Sequence, residues 1–273
     1  MPGLLAAATA KSSGVLYEDA FLQVGCKKAI AGAEGTLTLF LGNRSPSTPL
    51  VGFKLRIPET PALEAVLGDI PASIPPGAQA RVVITVSARS PFSDPPMLQL
   101  SFISTPGVGH AYPIHLPLSP AAFMAPAPLP PDQFKTRWGA LAAPPKALTA
   151  AFPCARPELL TLAHASDMLV QHLRISPVEV MPTAVSGAGV FKTTTLGPTG
   201  APLSVGVLIM VIPDAAGGVF KCAVRTTLEG VTKSIMTALQ TLLEVGGGMK
   251  SRGGGVLLIK KGRYSFFCCL RGC

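Results

Sequence analysis

Apolar and polar residues alternate over several short segments in the first half of the chain. In residues 51–57 (VGFKLRI) every second position is apolar, which is the pattern of a strand with one buried face. Segments 36–41, 80–86, 98–103 and 112–118 repeat it, with turns rich in proline, glycine and serine between them. Pro113 and Pro117 place the last strand at a sheet edge, because proline cannot donate a ladder hydrogen bond. Residues 15–118 therefore predict a β-sandwich.

The pattern changes after a proline-rich joint at residues 117–131. Asp132 is the predicted N-cap of a helix whose apolar positions, Phe134, Trp138 and Leu141, lie along one stripe. Strands are predicted at 169–175, 188–195, 203–212 and 219–226, and a final helix at 230–244 has one apolar face. Helix, strands and helix together predict an α+β unit.

Length and charge divide the chain further. Its 273 residues suffice for two modest domains, each with a core of its own. We predict a flexible lead-in at 1–14, the sandwich at 15–122, the α+β unit at 123–244 and a poorly ordered tail at 245–273. The tail has six basic residues and no acidic one, so the net charge of +9 leaves only +3 (9 minus 6) for the rest. The charge therefore does not argue for a nucleic-acid partner.

The tail itself has two interpretations. Cys268, Cys269 and Cys273 stand beside basic residues, as in a lipid-modified membrane anchor. Alternatively, the segment is a mispredicted terminal exon or an isoform remnant, which we favour. Elsewhere no apolar run approaches the roughly 20 residues of a membrane span, and the start of the chain lacks a secretory signal, so we expect a cytosolic setting.

Residue patterns typical of catalysis are missing from the sequence. The four histidines have no compact metal-ligand spacing, and no CxxC pair or GxSxG elbow occurs. Residues 187–189 (GAG) lack the third glycine and the lysine of a nucleotide-binding loop. We therefore expect no enzymatic activity, no cofactor and no metal.

Two sets of motifs resemble a known family. In the first half these are residues 21–27 (FLQVGCK), 39–44 (LFLGNR) and 77–79 (GAQ); in the second they are 134–138 (FKTRW), 187–189 with 192–194 (KTT), and 219–226 (VFKCAVRT). Their order and separation resemble the appendage, or ear, of the alpha-adaptin large subunit of the clathrin adaptor complex AP-2. The resemblance covers roughly residues 15–244.

The resemblance implies a fold and a function. The fold is an immunoglobulin-like β-sandwich followed by an α+β platform subdomain, an antiparallel sheet flanked by helices. Such ears capture short peptide motifs of endocytic accessory proteins: Asp-Pro-Phe, Asp-Pro-Trp and Phe-x-Asp-x-Phe on the platform, and Trp-x-x-Phe on the sandwich. The implied setting is clathrin-mediated endocytosis at coated pits on the cytoplasmic face of the plasma membrane. The other AP-2 subunits, reached through a trunk, and the clathrin coat are implied partners, so membrane association is indirect.

The resemblance also implies two sites. The platform site consists of Trp138 as an aromatic floor with Phe134 beside it, and of Lys221 and Arg225 as charge partners of the peptide. The sandwich site consists of Lys27, Phe40 and Gln79. Lys221 and Arg225 share one face of a strand because they are four residues apart.

The chain departs from the family pattern on the platform. Met210 stands where the family has another arginine, and Lys135 replaces a second aromatic residue. Residues 144–147 (PPKA) lack an expected glutamate. These changes predict a weaker or differently selective platform site.

Two alternatives stay open at the level of sequence. The chain could be a structural or adhesive sandwich protein whose Trp138 is a core residue. It could also be the ear of another adaptor subunit, such as a β-adaptin, which shares the two-part layout.

Overall fold

Fifteen strands and three α-helices make up the part of the chain that the computed structural model describes, residues 12–92, 94–105, 108–154, 156–197 and 200–248. The first half contains β1 (Ser13–Glu18), β2 (Leu22–Ala31), β3 (Glu34–Asn43), β4 (Leu50–Arg56), β5 (Leu63–Leu67), β6 (Ser73–Ile74), β7 (Gln79–Ala88), β8 (Met97–Thr105) and β9 (Val108–His115). The second contains β10 (Met124–Pro126), α1 (Pro131–Ala140), β11 (Ala147–Pro153), α2 (Leu162–Leu173), β12 (Ser176–Val178), β13 (Val185–Leu196), β14 (Pro202–Asp214), β15 (Val219–Thr226) and α3 (Glu229–Gly248). The expectations for residues 1–11 and 249–273 lie outside the described residues.

The first half is a sandwich of two antiparallel sheets. One has the strand order β1-β2-β3-β7-β5 and the other β6-β4-β8-β9. Along β3 and β7 every second side chain is buried, as the alternating pattern predicts, and these side chains fill the space between the sheets. Strand β9 is an edge strand, which confirms the prediction from Pro113, but it ends at His115, before Pro117.

The second half is one antiparallel sheet with helices on both faces. Its order is β10-β13-β14-β15-β11, and β12 also pairs with β13. Helices α2 and α3 bury their apolar residues on the inner face, in the same core cluster as the sandwich. Helix α1 lies on the outer face, where Phe134 packs against Ala188 of β13 and Leu208 of β14. The immunoglobulin-like sandwich and the platform of the sequence analysis are thus both present.

Three local predictions are wrong. Residues 169–175 are not a strand, because most of them form the end of α2, which Thr161 caps by accepting a hydrogen bond from the His164 N–H at 3.1 Å. Asp132 is not an N-cap, since α1 starts at Pro131 and Pro130 occupies the cap position. The final helix does not end near residue 244 but continues through the glycine triplet to Gly248.

One core cluster runs through both halves of the molecule. Hydrogen bonds cross the same joint: the Arg174 guanidinium donates to the Ile30 carbonyl at 2.7 Å, and the Thr195 hydroxyl to the Arg89 carbonyl at 2.6 Å. The Ser234 hydroxyl of α3 donates to the Phe92 carbonyl at 2.8 Å. The predicted division near residue 122 therefore separates two architectures that share one interior; as a domain boundary it stays a prediction.

Candidate functional site

Lys27, Phe40 and Gln79 lie on one exposed face, the outer face of the five-stranded sheet. Phe40 of β3 is half-buried and stands directly opposite Gly25 of β2. Lys27 lies two residues beyond Gly25, and Gln79 of β7 pairs with the residue two positions beyond Phe40. All these positions have the outward parity of their strands, so the three side chains surround a common patch.

Phe40 is partly exposed and stands between a glycine on β2 and a cation on β7. Gly25 is buried, and a Cβ at this position would lie in van der Waals contact with Phe40, 3.7 Å from the Phe40 Cβ atom. On the other side Phe40 pairs with Arg81 of β7, an exposed cation that the sequence analysis did not single out. The sequence contained a sign of it, because Arg81 follows Gln79 by two positions and therefore lies on the same face of the strand.

Positive charge on this face is uncompensated. Within the described ranges, neither Lys27 nor Arg81 forms an ion pair with an acidic side chain. An aromatic ring between unpaired cations can attract a ligand that combines an aromatic group with negative charge. We call this patch of Gly25, Lys27, Phe40, Gln79 and Arg81 the sandwich face.

The platform residues Phe134 and Trp138 are stacked one turn apart on α1. Their ring centroids are 5.4 Å apart, with 15° between the ring planes. Phe134 has no exposed surface and packs on Leu208 and Ala188, whereas Trp138 is half-buried above it. Phe134 therefore cannot contact a peptide as predicted from the resemblance; the role left to it is to support the indole from below.

Arg225 is placed directly against this indole. Its guanidinium carbon lies 4.2 Å from the centre of the Trp138 ring, and its Nη1 donates a hydrogen bond to the Trp138 carbonyl. Burial lowers the pKa of Arg225, and its Nε is buried without a hydrogen-bond partner among the described residues. The cation is thus oriented by the tryptophan and retains an unsatisfied donor.

Lys221 shares the outer face of β15 with Arg225, as predicted, but its charge has a partner. Its ammonium forms an ion pair with Asp214 at 2.7 Å, and this hydrogen bond, with that from the Gly217 N–H, lowers the pKa of the Asp214 carboxyl. Four residues of strand separate Lys221 from Arg225 by about 13 Å. The two predicted cations therefore differ. Arg225 contacts the Trp138 indole, whereas Lys221, further along the strand, forms an ion pair with Asp214.

A groove of about 510 Å³ opens on the outer face next to this region. Met210 lies on its floor, and Lys135 is exposed on α1. The groove is lined by Thr149, Ala150, Ala151, Met210, Ile212, Lys221, Cys222 and Ala223. We call it the Met210 groove.

Two further features of the described residues concern metal ions and membranes. No group of three or more His, Cys, Asp or Glu side chains in this part of the chain could hold a metal ion. None of its helices is both long and apolar enough to cross a membrane.

Comparison with protein families gives two adjacent matches. The family described as "Adaptin C-terminal domain" matches residues 12–109. The family described as "Alpha adaptin AP2, C-terminal domain" matches residues 122–243. Together they span both architectures of the fold.

Curated relatives agree with these matches. The AP-2 complex subunit alpha-2 of Dictyostelium discoideum is 27% identical over 236 residues, covering 85% of this chain and 23% of that protein. The AP-2 complex subunit alpha-2 of Arabidopsis thaliana is 31% identical over 192 residues, covering 68% of this chain and 18% of that protein. The AP-2 complex subunit alpha-1 of Arabidopsis thaliana is 33% identical over 164 residues, covering 59% of this chain and 16% of that protein. The chain thus spans less than a quarter of the length of these relatives.

Proposed function

The chain belongs to the family of alpha-adaptin C-terminal domains, and we propose that it is a non-catalytic clathrin-adaptor appendage that captures short peptide motifs of endocytic accessory proteins. The alpha-adaptin match over residues 122–243 favours this over the ear of a β-adaptin. The half-buried position of Trp138 favours it over a structural protein with a fully buried tryptophan.

The sandwich face is the observation that carries the proposal. Phe40 is a partly exposed aromatic side chain, and the Gln79 amide can form hydrogen bonds with a peptide backbone. Lys27 and Arg81 attract acidic residues flanking the motif. This combination suits a peptide with an aromatic anchor and negative charge, as in Trp-x-x-Phe motifs embedded in acidic sequence.

The platform is the second proposed site. Trp138 offers a rigid, amphipathic surface. The Arg225 guanidinium can donate hydrogen bonds to a carboxylate from N–H groups that are not bonded to the Trp138 carbonyl. An Asp-Pro-Phe or Phe-x-Asp-x-Phe motif supplies both an aromatic ring and an aspartate. Lys221 would contribute only by exchanging its Asp214 partner for the peptide, so we assign it a smaller role.

The proposed cellular role depends on many such contacts acting together. Single motifs of this size bind with micromolar affinity, about 8 kcal/mol, so stable recruitment requires several motifs and several ears on one coat. We propose that the appendage acts at clathrin-coated pits, attached through a trunk to the remaining AP-2 subunits, with membrane association through that complex.

The proposal is tested by calorimetry with a Trp-x-x-Phe peptide and the variants Phe40→Ala and Lys27→Glu. Loss of a central aromatic contact costs on the order of 2 kcal/mol, so we expect Phe40→Ala to weaken binding about thirtyfold. Matched controls are Val66→Ala, an exposed apolar position two strands away on the same sheet, and Lys54→Glu on the other sheet. Both controls should bind like the wild type.

The platform is tested in parallel with an Asp-Pro-Phe peptide and Trp138→Ala. The control is Leu196→Ala, which removes an exposed side chain at the end of β13. If Phe40→Ala and Trp138→Ala both retain wild-type affinity for their peptides, the appendage function proposed here is wrong.

A further inference from the structure

The Met210 groove lies on the outer face of the sheet, where outward residues of β14, β15 and β11 form parallel rows. Arg225 lies between Leu208 and Ala147, and Trp138 packs at this row. The next row is Met210, Ala223 and Thr149, and the third is Ile212, Lys221 and Ala151. The groove therefore starts one row from Arg225 and runs along the strands away from Trp138.

The Met210 row has no charged residue. On β13 it continues with Ser186, whose hydroxyl is buried without a hydrogen-bond partner among the described residues, and the Thr149 hydroxyl is at the opposite side. Between these two, Met210 and Ala223 present apolar surface. A carboxylate placed here would lose hydration without gaining a cation, whereas an apolar side chain would gain from burial.

The cations on either side do not change this balance. Arg225 is turned toward the Trp138 ring and carbonyl, one row away. Lys221, in the row beyond, is neutralised by Asp214 at 2.7 Å. Negative charge in a peptide is therefore matched at Arg225, and the row between the cations favours an uncharged residue.

The spacing of the rows fits an extended peptide. Rows two residues apart on a strand are about 7 Å apart, and so are alternate side chains of an extended peptide. A peptide whose aromatic residue contacts Trp138, or whose aspartate contacts Arg225, thus places the side chain two positions further along over the Met210 row. We propose that the platform selects a medium-sized apolar residue, such as leucine, at this position, and that Met210 determines the preference; the inference rests on the proposed peptide-binding function of the platform.

Two pairs of peptides, each pair differing at one position, test this inference. Each has the Asp-Pro-Phe anchor, with leucine or aspartate two residues after the phenylalanine in one pair and two residues before its aspartate in a second pair. Because burial of a leucine side chain is worth about a tenfold change in affinity or more, we expect the leucine peptide of one pair to bind the wild type at least about tenfold tighter.

Variants at position 210 assign the preference to its side chain. The measured quantity is the ratio of the affinity for the leucine peptide to that for the aspartate peptide. Met210→Arg should abolish or reverse this ratio, and Met210→Gln, which keeps the side-chain length, should reduce it. Met210→Leu should preserve it. Thermal unfolding checks that each variant is folded; Met210 is only partly buried, and Met210→Gln serves if Met210→Arg does not fold.

The outcomes separate this inference from the function on which it rests. The proposed selectivity is wrong if the peptides bind the wild type but the leucine and aspartate peptides have equal affinity in both pairs. It is also wrong if Met210→Gln and Met210→Arg leave the affinity ratio unchanged. In either case the proposed platform site remains. If no peptide binds the wild type, the platform site fails and the selectivity with it.

Discussion

Trp138 is a half-buried side chain supported by a fully buried one. Phe134 has no accessible surface and holds the indole above Leu208, while Arg225 lies against the indole ring. The sequence predicted both aromatic residues on one helical stripe, and that stripe does face the sheet. Which of the two is covered was decided by the position of α1 on the outer face, which a helical period does not specify.

The Lys28 ammonium is a charged group at the joint between the two halves. Its Nζ donates to the Pro117 carbonyl at 3.2 Å, and Arg174 from the end of α2 is close enough to add repulsion. Burial, with a smaller contribution from Arg174, lowers the pKa of Lys28 to about 8 from 10.5. Cys26 on the same strand opposes this shift, and its own pKa is raised by burial to about 11.

We expect Lys28 to make stability depend on pH. Between about pH 8 and pH 10.5 the unfolded state binds more protons at Lys28 than the folded state, so this residue raises the free energy of unfolding as the pH rises. Below about pH 8 Lys28 is protonated in both the folded and the unfolded state. Burial of the charged ammonium then lowers the free energy of unfolding by its full amount, about 3 kcal/mol. The stability difference between Lys28→Met and the wild type should therefore shift in favour of the wild type by about 1 kcal/mol from pH 7 to pH 9.

Urea unfolding of both proteins at several pH values measures that difference. The Cys26 thiol destabilises the folded state above about pH 9, but it is present in both proteins and its effect largely cancels in the comparison. A difference that stays constant across this range would contradict the lowered pKa.

At the scale of elements, the glycines of β13 have a packing role. The GAG segment looked like an incomplete nucleotide loop in the sequence, but it lies inside a strand. A Cβ at Gly187 would lie 2.3 Å from Ile175 Cγ2 and 2.9 Å from the Ser176 carbonyl oxygen, and one at Gly189 would lie 2.6 Å from Met124 Cε. The glycines thus let β10, β12 and Ile175, the residue before β12, lie close to β13.

We expect Gly187→Ala to destabilise the protein by about 1–3 kcal/mol, because Ile175 and the backbone of Ser176 must move. Gly206→Ala on the neighbouring β14 is the matched control, since a Cβ there meets nothing within 4 Å. Thermal or urea unfolding compares the two variants. Equal stability of the two would show that this close packing is not needed.

The region of α2 shows why one element was predicted incorrectly. Apolar residues in 162–173 recur at helical spacing, and Ala165, Leu169 and Leu173 are all buried. The prediction considered only the window 169–175, which is too short to distinguish a helical from a strand period. The long alternating strands β3, β7 and β15 could be predicted because their buried faces extend over eight or more residues.

At the scale of the whole molecule, the shared core implies cooperative unfolding. Apolar residues of both halves form one cluster, and hydrogen bonds such as Arg174 to Ile30 cross the joint. We expect a single unfolding transition. Trp138 fluorescence reports the platform, and hydrogen exchange in β2 and β3 reports the sandwich.

The two probes should give the same midpoint in urea. A second, separate transition would show that the sandwich and the platform unfold independently, which is what two domains with separate cores would do. Arg174→Ala should lower the common midpoint, because the crossing hydrogen bond and its αL helix cap are both altered.

Sequence alone determined the two architectures, because alternation and helical spacing record which faces are buried. Through its motifs it also indicated Lys27, Phe40 and Gln79, which share one face, and strand parity was enough to place Lys221 and Arg225 on the same face of β15. Only the tertiary structure decided that Phe134 is covered, that Lys221 is neutralised by Asp214, and that Met210 lies in an uncharged row beside Trp138. These properties depend on which strands and helices become neighbours, and such contacts between distant segments are not recorded in any local pattern.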